Sequence, residues 1–171
     1  MSMSSAAIST FEITLTALSK LLDKAEAFAA ARKFDAANML ASRLAPDMFA
    51  LARQVQVACD LAKFGAARLA GIDPPKFEDN EKTIAELKAR ITKTLEFVRS
   101  VDRKAIDASA ERTISFPLGP KKGEMKGADY LNHFVLPNFY FHAAAAYMIM
   151  RHNGVELGKQ DFLSGIPITI T

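Results

Sequence analysis

Three polar side chains stand on helix faces that are otherwise hydrocarbon: Gln54, Asn138 and His142. In the series Leu131, Val135, Asn138, His142, Ala145, Ile149 and His152 the spacing alternates between three and four. That rhythm puts Asn138 and His142 one turn apart on the face a helix buries. Leu51, Gln54, Ala58, Leu61 and Gly65 share a second such face, on which Gln54 is the one amide. An imidazole among amides suits hydrogen-bonded recognition of a polar ligand, proton transfer near neutral pH, or a share in a metal ion. A buried amide left without a partner costs about 1–3 kcal/mol, so each group needs a partner from the chain or from a ligand. The plainest outcome is that the chain itself supplies it.

Other chemically capable residues lie beside these stripes. Arg53, Gln56, Asp60 and Lys63 form their own row on the same helix, a charged face either solvated or buried with mutual pairing; the solvated or interfacial reading is favoured, with Asp60 the carboxylate able to turn inward. Arg151, in the corner Arg151-His-Asn-Gly, either offers a bidentate contact to an anion at a pocket mouth or complements the negative end of its helix. Cys59 has no second cysteine to pair with and sits in an apolar helical run, which reads as a buried, inert thiol in a reducing cytoplasm. The chain carries no glycine-rich phosphate loop, no His-Glu-x-x-His, no Gly-x-Ser-x-Gly and no paired cysteines, so no cofactor is expected from a motif.

Those side chains need elements to position them. With 171 residues, half of them hydrophobic, the chain is expected to form one domain spanning 1–171 around a core that needs no disulfide. Phe11, Leu15, Leu18, Leu22 and Ala25 mark a first helix, interrupted at Phe34 and Asp35. Pro46 suits the first position of a second helix, which Gly71 closes. After Asp73-Pro-Pro, either Asp79 or Asn80 is expected to cap a third helix carrying Ile84, Leu87, Ile91, Leu95 and Val98. From Arg103 to Gly127 the texture changes, and Thr113-Ile-Ser-Phe with the turn residues from Pro117 to Gly123 suggests a small hairpin or a long loop. A fourth helix, bent at Pro137, runs from Asp129 to His152 and ends at Asn153-Gly154, followed by an irregular tail through Ile166-Pro-Ile-Thr-Ile-Thr. The expected fold is all-α, an up-down four-helix bundle.

Charge narrows the partners. Lys and Arg number 22 against 19 Asp and Glu, a net charge of +3, and they are spread along the chain. Nucleic-acid binders gather positive charge on one face, whereas here the densest spot, Lys121, Lys122 and Lys126, is diluted by Glu124, so nucleic acid is not expected. No apolar run approaches the ~20 residues of a membrane span, and Met1-Ser-Met-Ser-Ser-Ala-Ala lacks the basic start of a secretory signal, which makes the cytoplasm the expected location.

At Gln54, Asn138 and His142 the chain resembles the DinB/YfiT-like superfamily of four-helix bundles. That resemblance implies a metal held by one histidine from the second helix and a His-x-x-x-His pair from the fourth, at the places these three residues occupy. The segments Ala45-Pro-Asp-Met, Arg53-Gln-Val-Gln, Leu136-Pro-Asn-Phe-Tyr-Phe-His and Arg151-His-Asn-Gly-Val-Glu-Leu-Gly-Lys-Gln-Asp-Phe-Leu are similar to an uncharacterised bacterial family within it. Two of the three implied imidazoles are amides here, and a neutral amide oxygen is a poor ligand for zinc or nickel. His133, nine positions before His142, lies about 180° around the helix, and His152 lies about 15 Å along its axis, so neither restores the set.

The leading expectation is therefore a degenerate metal site reused as a pocket for a small polar ligand or partner, lined by Gln54, Asn138, His142, Asp60 and Arg151. A first alternative is a metal-dependent thiol transferase or hydrolase in which His142 binds a divalent ion. A second is a non-catalytic homodimer joined through helix faces, because Phe139, Tyr140 and Phe141 make the fourth helix apolar nearly all round.

Overall fold

Helix boundaries follow local signals that the side chains supply. The computed structural model describes residues 2–169, so Met1, Ile170 and Thr171, the last two closing the alternating tail, lie outside the described residues. Helix α1 spans Met3–Arg32, and the Ser2 hydroxyl accepts from the Ser5 amide to cap it. A 3-10 turn, Ala36–Ala41, follows and leads by an irregular segment to α2, Leu51–Ala70. Pro46 does not begin α2: Ala50 precedes its first turn without a side-chain cap. The far end of α2 stops at Gly71, whose φ of 73° favours glycine. There the Arg112 guanidinium donates to the carbonyls of Arg68 (2.9 Å) and Leu69 (2.6 Å), satisfying oxygens the helix leaves free.

Helix α3, Ile84–Ser100, is capped by neither Asp79 nor Asn80. The Thr83 side chain accepts from the Glu86 amide while the Glu86 carboxylate accepts from the amides of Lys82 and Thr83, a reciprocal capping box. Asp79 is drawn off instead to two arginines. A short helix, α4 at Arg103–Asp107, leads into the antiparallel hairpin of β1, Thr113–Leu118, and β2, Lys121–Lys126, with Ile114 opposite Met125 and Phe116 opposite Gly123. Lys121 and Lys122 are exposed on it. The chain is then helical without a break through α5, Gly127–Asp129, a π-helical stretch, Tyr130–Val135, and α6, Leu136–His152, with Pro137 at the junction. Proline has no N–H to give to the preceding turn, and the widened π turn sits where that bond is missing. The tail is irregular apart from α7, Lys159–Phe162.

Side-chain pairs fix how the four long helices run. Arg99 meets Glu12 (2.7 Å) while Lys88 meets Asp23 (2.5 Å), so α3 is antiparallel to α1. Gln54 meets His142 and Arg68 meets Tyr130, so α2 is antiparallel to α6. Phe11 packs on Phe139 (5.1 Å between centroids) and Phe28 lies beside Gly154, so α6 runs with α1. It follows that α2 and α3 are parallel. The helices do not alternate in the expected up-down order, and residues 71–83 form a strap that returns along the length of α2. Rising about 3.3–3.6 Å per extended residue, the strap is long enough to span the roughly 30 Å of a 20-residue helix.

The four helices enclose one apolar core that includes Phe11, Leu15, Leu18, Leu51, Ile91, Val135 and Phe139. Helix α2 and the π-helical stretch before α6 approach closely at Gly65, where an added Cβ would sit 2.8 Å from Cγ1 of Val135 and 3.5 Å from Cζ of Phe11. Gly65→Ala is expected to lower stability by about 1–2 kcal/mol in urea denaturation, overpacking outweighing the helical gain of alanine. Adding Val135→Ala to that background should recover part of the loss.

Candidate functional site

Helices α2 and α6 bring two of the five expected site residues into contact. His142 Nδ1 lies 2.7 Å from Oε1 of Gln54, and the Gln54 amide nitrogen donates to the Phe49 carbonyl at 3.1 Å. With its NH2 group so used, the Gln54 oxygen is an acceptor, so Nδ1 carries the proton and donates. In the neutral ring this leaves Nε2 with its lone pair as an acceptor. Gln54 is buried and His142 half-buried, one edge toward solvent. The rings of Phe49, nearly parallel at 6.1 Å, and Phe141, edge-on at 5.2 Å, flank the imidazole. Both phenylalanines are more than half exposed.

The Arg53 guanidinium stands 5.8 Å over the Phe49 ring and also bonds Asp79 of the strap. Burial, and then the positive charge of Arg53, push His142 below its ordinary pKa of 6.5. The arrangement is a neutral imidazole with a fixed tautomer, offered between two aromatic rings.

The other expected residues are elsewhere. Asn138 lies one turn from His142, but its amide nitrogen donates to the Phe134 carbonyl at 2.6 Å, within the π-helical stretch before Pro137. Asp60 faces away from His142, accepting from Arg90 and Lys63 at 3.0 Å each. Arg151 is exposed in the last turn of α6, nine positions and so about 13 Å along the axis from His142. His133 is 71% exposed beside Asp129. Cys59 is fully buried, and burial pushes its thiol up to about 12, which makes it inert.

The row Arg53, Gln56, Asp60 and Lys63 is not a solvated face. Lys63 is 2% exposed and Gln56 is 5% exposed. The strap covers them, and the unforeseen centre of the cluster is Arg90 of α3, also buried. Its guanidinium bonds Asp60 (3.0 Å), Asp79 (2.9 Å) and Glu81 (2.9 Å), while Gln56 donates to Glu81. Lys63 Nζ lies over the rings of Phe77 and Phe64 at 4.3 Å and 4.5 Å. The signal for Arg90 is in the sequence: it stands between Leu87 and Thr94 on the buried rhythm of α3, a place a cation occupies only when paired.

The metal chemistry implied for this fold asks for imidazoles at the places of Gln54 and Asn138. Here the Gln54 oxygen is committed to His142, its nitrogen to Phe49, and the Asn138 nitrogen to its own helix. These donors do not fit a transition metal. Among the described residues no group of three His, Cys, Asp or Glu is placed to hold one.

Comparison with known proteins agrees with the fold. The family model described as a domain of unknown function, DUF1993, matches residues 3–163, and the chain belongs to that family. It is similar to the crystal structure of a DinB family member from Shewanella denitrificans, at 40% identity and a TM-score of 0.91 over 98% of this chain and 95% of that one. No curated protein matches it. No helix among the described residues is long and apolar enough to cross a membrane.

In an NMR titration His142 should ionise below 6.5, and Arg53→Ala should move it back toward that value. Because the unfolded chain takes up this proton first, His142 contributes stability that is present above 6.5 and lost as pH falls through its folded pKa. Denaturation midpoints against pH, compared with His142→Gln, check the sign.

Proposed function

We propose that this DUF1993 chain is a binding protein that holds a small polar ligand at the exposed edge of His142. The observation that carries the reading is the 2.7 Å bond from His142 Nδ1 to Gln54, itself anchored on the Phe49 carbonyl. Holding a ring in one tautomer with Nε2 outward creates an acceptor of fixed direction at no ordering cost on binding. Phe49 and Phe141 supply apolar surface on either side. The matching ligand has a flat apolar body and one N–H or O–H donor. Asn138, bonded to its own helix, and Asp60 and Arg151 have no part in it. The buried, unpaired Cys59 is consistent with a reducing, cytoplasmic setting.

A second reading, a homodimer, rests on the exposed face of α6, of which Phe141 is also part. Tyr140, Phe141 and Met148 are 44%, 56% and 45% exposed on the outer side of α6, and no charged residue occurs from Leu136 to Met150. A helix apolar on its outer side as well as its inner side is suited to a partner helix. Phe141→Lys with Met148→Lys is expected to turn a dimer into a monomer in sedimentation equilibrium, and a monomeric wild type retires this reading.

The ligand proposal is tested by titrating labelled protein with small heteroaromatic fragments, some bearing an N–H or O–H donor and others methylated at it. Donor-bearing fragments should shift His142, Phe49 and Phe141 saturably, and His142→Ala should weaken them about tenfold, the worth of one such bond. Equal binding by methylated fragments, or binding that survives His142→Ala, would contradict it.

A further inference from the structure

The His142 edge has two walls and an open side. Phe49 and Phe141 flank the imidazole, and both rings are more than half exposed. Small-ligand sites enclose about 70–90% of the ligand surface, so a ligand between these two rings still lacks cover. Beside the opening lies the outer side of α6.

That side is broad and apolar. Phe141 and Met148, seven positions and so about 20° apart around the helix, form one line along it. Tyr140 lines a small cleft with Leu163 and Ile166, which carries the apolar surface onto the tail. With Phe49, these six side chains are each 38–56% exposed. At about 200 Å² for a large apolar side chain, they present about 550 Å² to water. A stable dimer buries ~800 Å² on each partner, and about 65% of that, or about 520 Å², is apolar. The exposed face therefore matches the apolar share of one half of a dimer interface.

Its chemistry selects the occupant. No charged residue occurs from Leu136 to Met150, so this stretch offers no charge pattern to a partner of opposite sign. It also lacks the lysines and arginines that border a helix lying on a membrane. An uncharged apolar face complements itself, as a two-fold interface requires, and the small Ala144 at its middle lets a second helix come close.

We propose that the outer face of α6 seats a second copy of this chain across a two-fold axis near Ala144, and that this copy closes the open side of the His142 site. This rests on the reading of His142 as a ligand site, since only a ligand needs that side closed. With the two α6 helices antiparallel, Phe141 of one protomer meets the partner's Met148, because the two positions lie about equally far on either side of the axis. A thioether against an aromatic ring is a favourable contact. The Phe141 ring, open in the single chain, is then covered, and the ligand sits between Phe49, Phe141 and the second protomer.

Tyr140→Glu with Met148→Glu places charge on the face and leaves Phe49, Phe141 and His142 as they are. The variant and wild type are compared by sedimentation equilibrium with and without indole, and by indole titration followed at His142. The expected result is a dimeric wild type and a monomeric variant that binds indole at least tenfold more weakly, while the His142 Nδ1–H signal shows its bond to Gln54 intact. By linkage, indole should also tighten the wild-type dimer, whereas 1-methylindole, which lacks the donor, should not. A wild type that binds indole as a monomer, or a monomeric variant that binds it as well as wild type does, would overturn the proposal and leave the His142 reading standing. A wild type that binds no indole would overturn both.

Discussion

The buried guanidinium of Arg90 is the constraint from which the rest of the arrangement follows. Withdrawn from water, it requires acceptors, and it draws them from two places far apart in sequence: Asp60 in the middle of α2 and Asp79 and Glu81 in the strap. Leaving such a charge unpaired would cost about 3–5 kcal/mol, comparable to a large part of the stability of a small domain. The strap has neither helix nor strand of its own, so this ion cluster, with Phe77 over Lys63, is what seats it. Because the strap returns along α2, α3 starts at the same end as α2, and the two helices run parallel.

The cluster also reaches the candidate site. Asp79 bonds Arg53 as well as Arg90, and Arg53 stands over Phe49, whose ring faces His142. Seating the strap thus settles where the charge nearest to His142 lies, and that charge helps to keep the imidazole neutral. On the other side of the ring, Gln54 accepts the hydrogen bond from Nδ1–H and leaves Nε2 outward. The departure from the three-histidine pattern is therefore more than a loss of ligands. Where the resemblance implies an imidazole, the Gln54 amide holds the His142 ring by a hydrogen bond.

The period of the apolar residues made α1, α3 and α6 legible in the sequence; of the three polar groups that could converge, Gln54 and His142 meet, whereas Asn138 bonds its own helix. At period two a hairpin or a long loop was legible, and the chain forms the hairpin. The start of α2 was not: Pro46 was compatible with a first turn, yet tertiary packing held residues 42–50 irregular. Helix direction was hidden as well, since the sense of α3 depends on pairings between residues 26 to 30 positions apart, from Arg53 with Asp79 to Arg90 with Asp60, and periodicity says nothing about them. For the row Arg53, Gln56, Asp60 and Lys63 the error was one of environment. Charged residues at helical spacing read as solvated until a strap is known to cover them, and the buried place of Arg90 on α3 was the warning.

The central claim, that the Arg90 cluster holds the strap and not the helices individually, is open to limited trypsin digestion with sites of cleavage read by mass spectrometry. Lys76 and Lys82 are exposed on the strap, and Lys20 and Lys24 provide helical reference sites on α1. When opening is fast relative to cleavage, the cutting rate follows the population of the open form. In Arg90→Met the account predicts cleavage after Lys76 and Lys82 at least tenfold faster than in wild type, well before any cut at Lys20 or Lys24. Unchanged strap cleavage, or cleavage that rises equally at the helical sites, would contradict it.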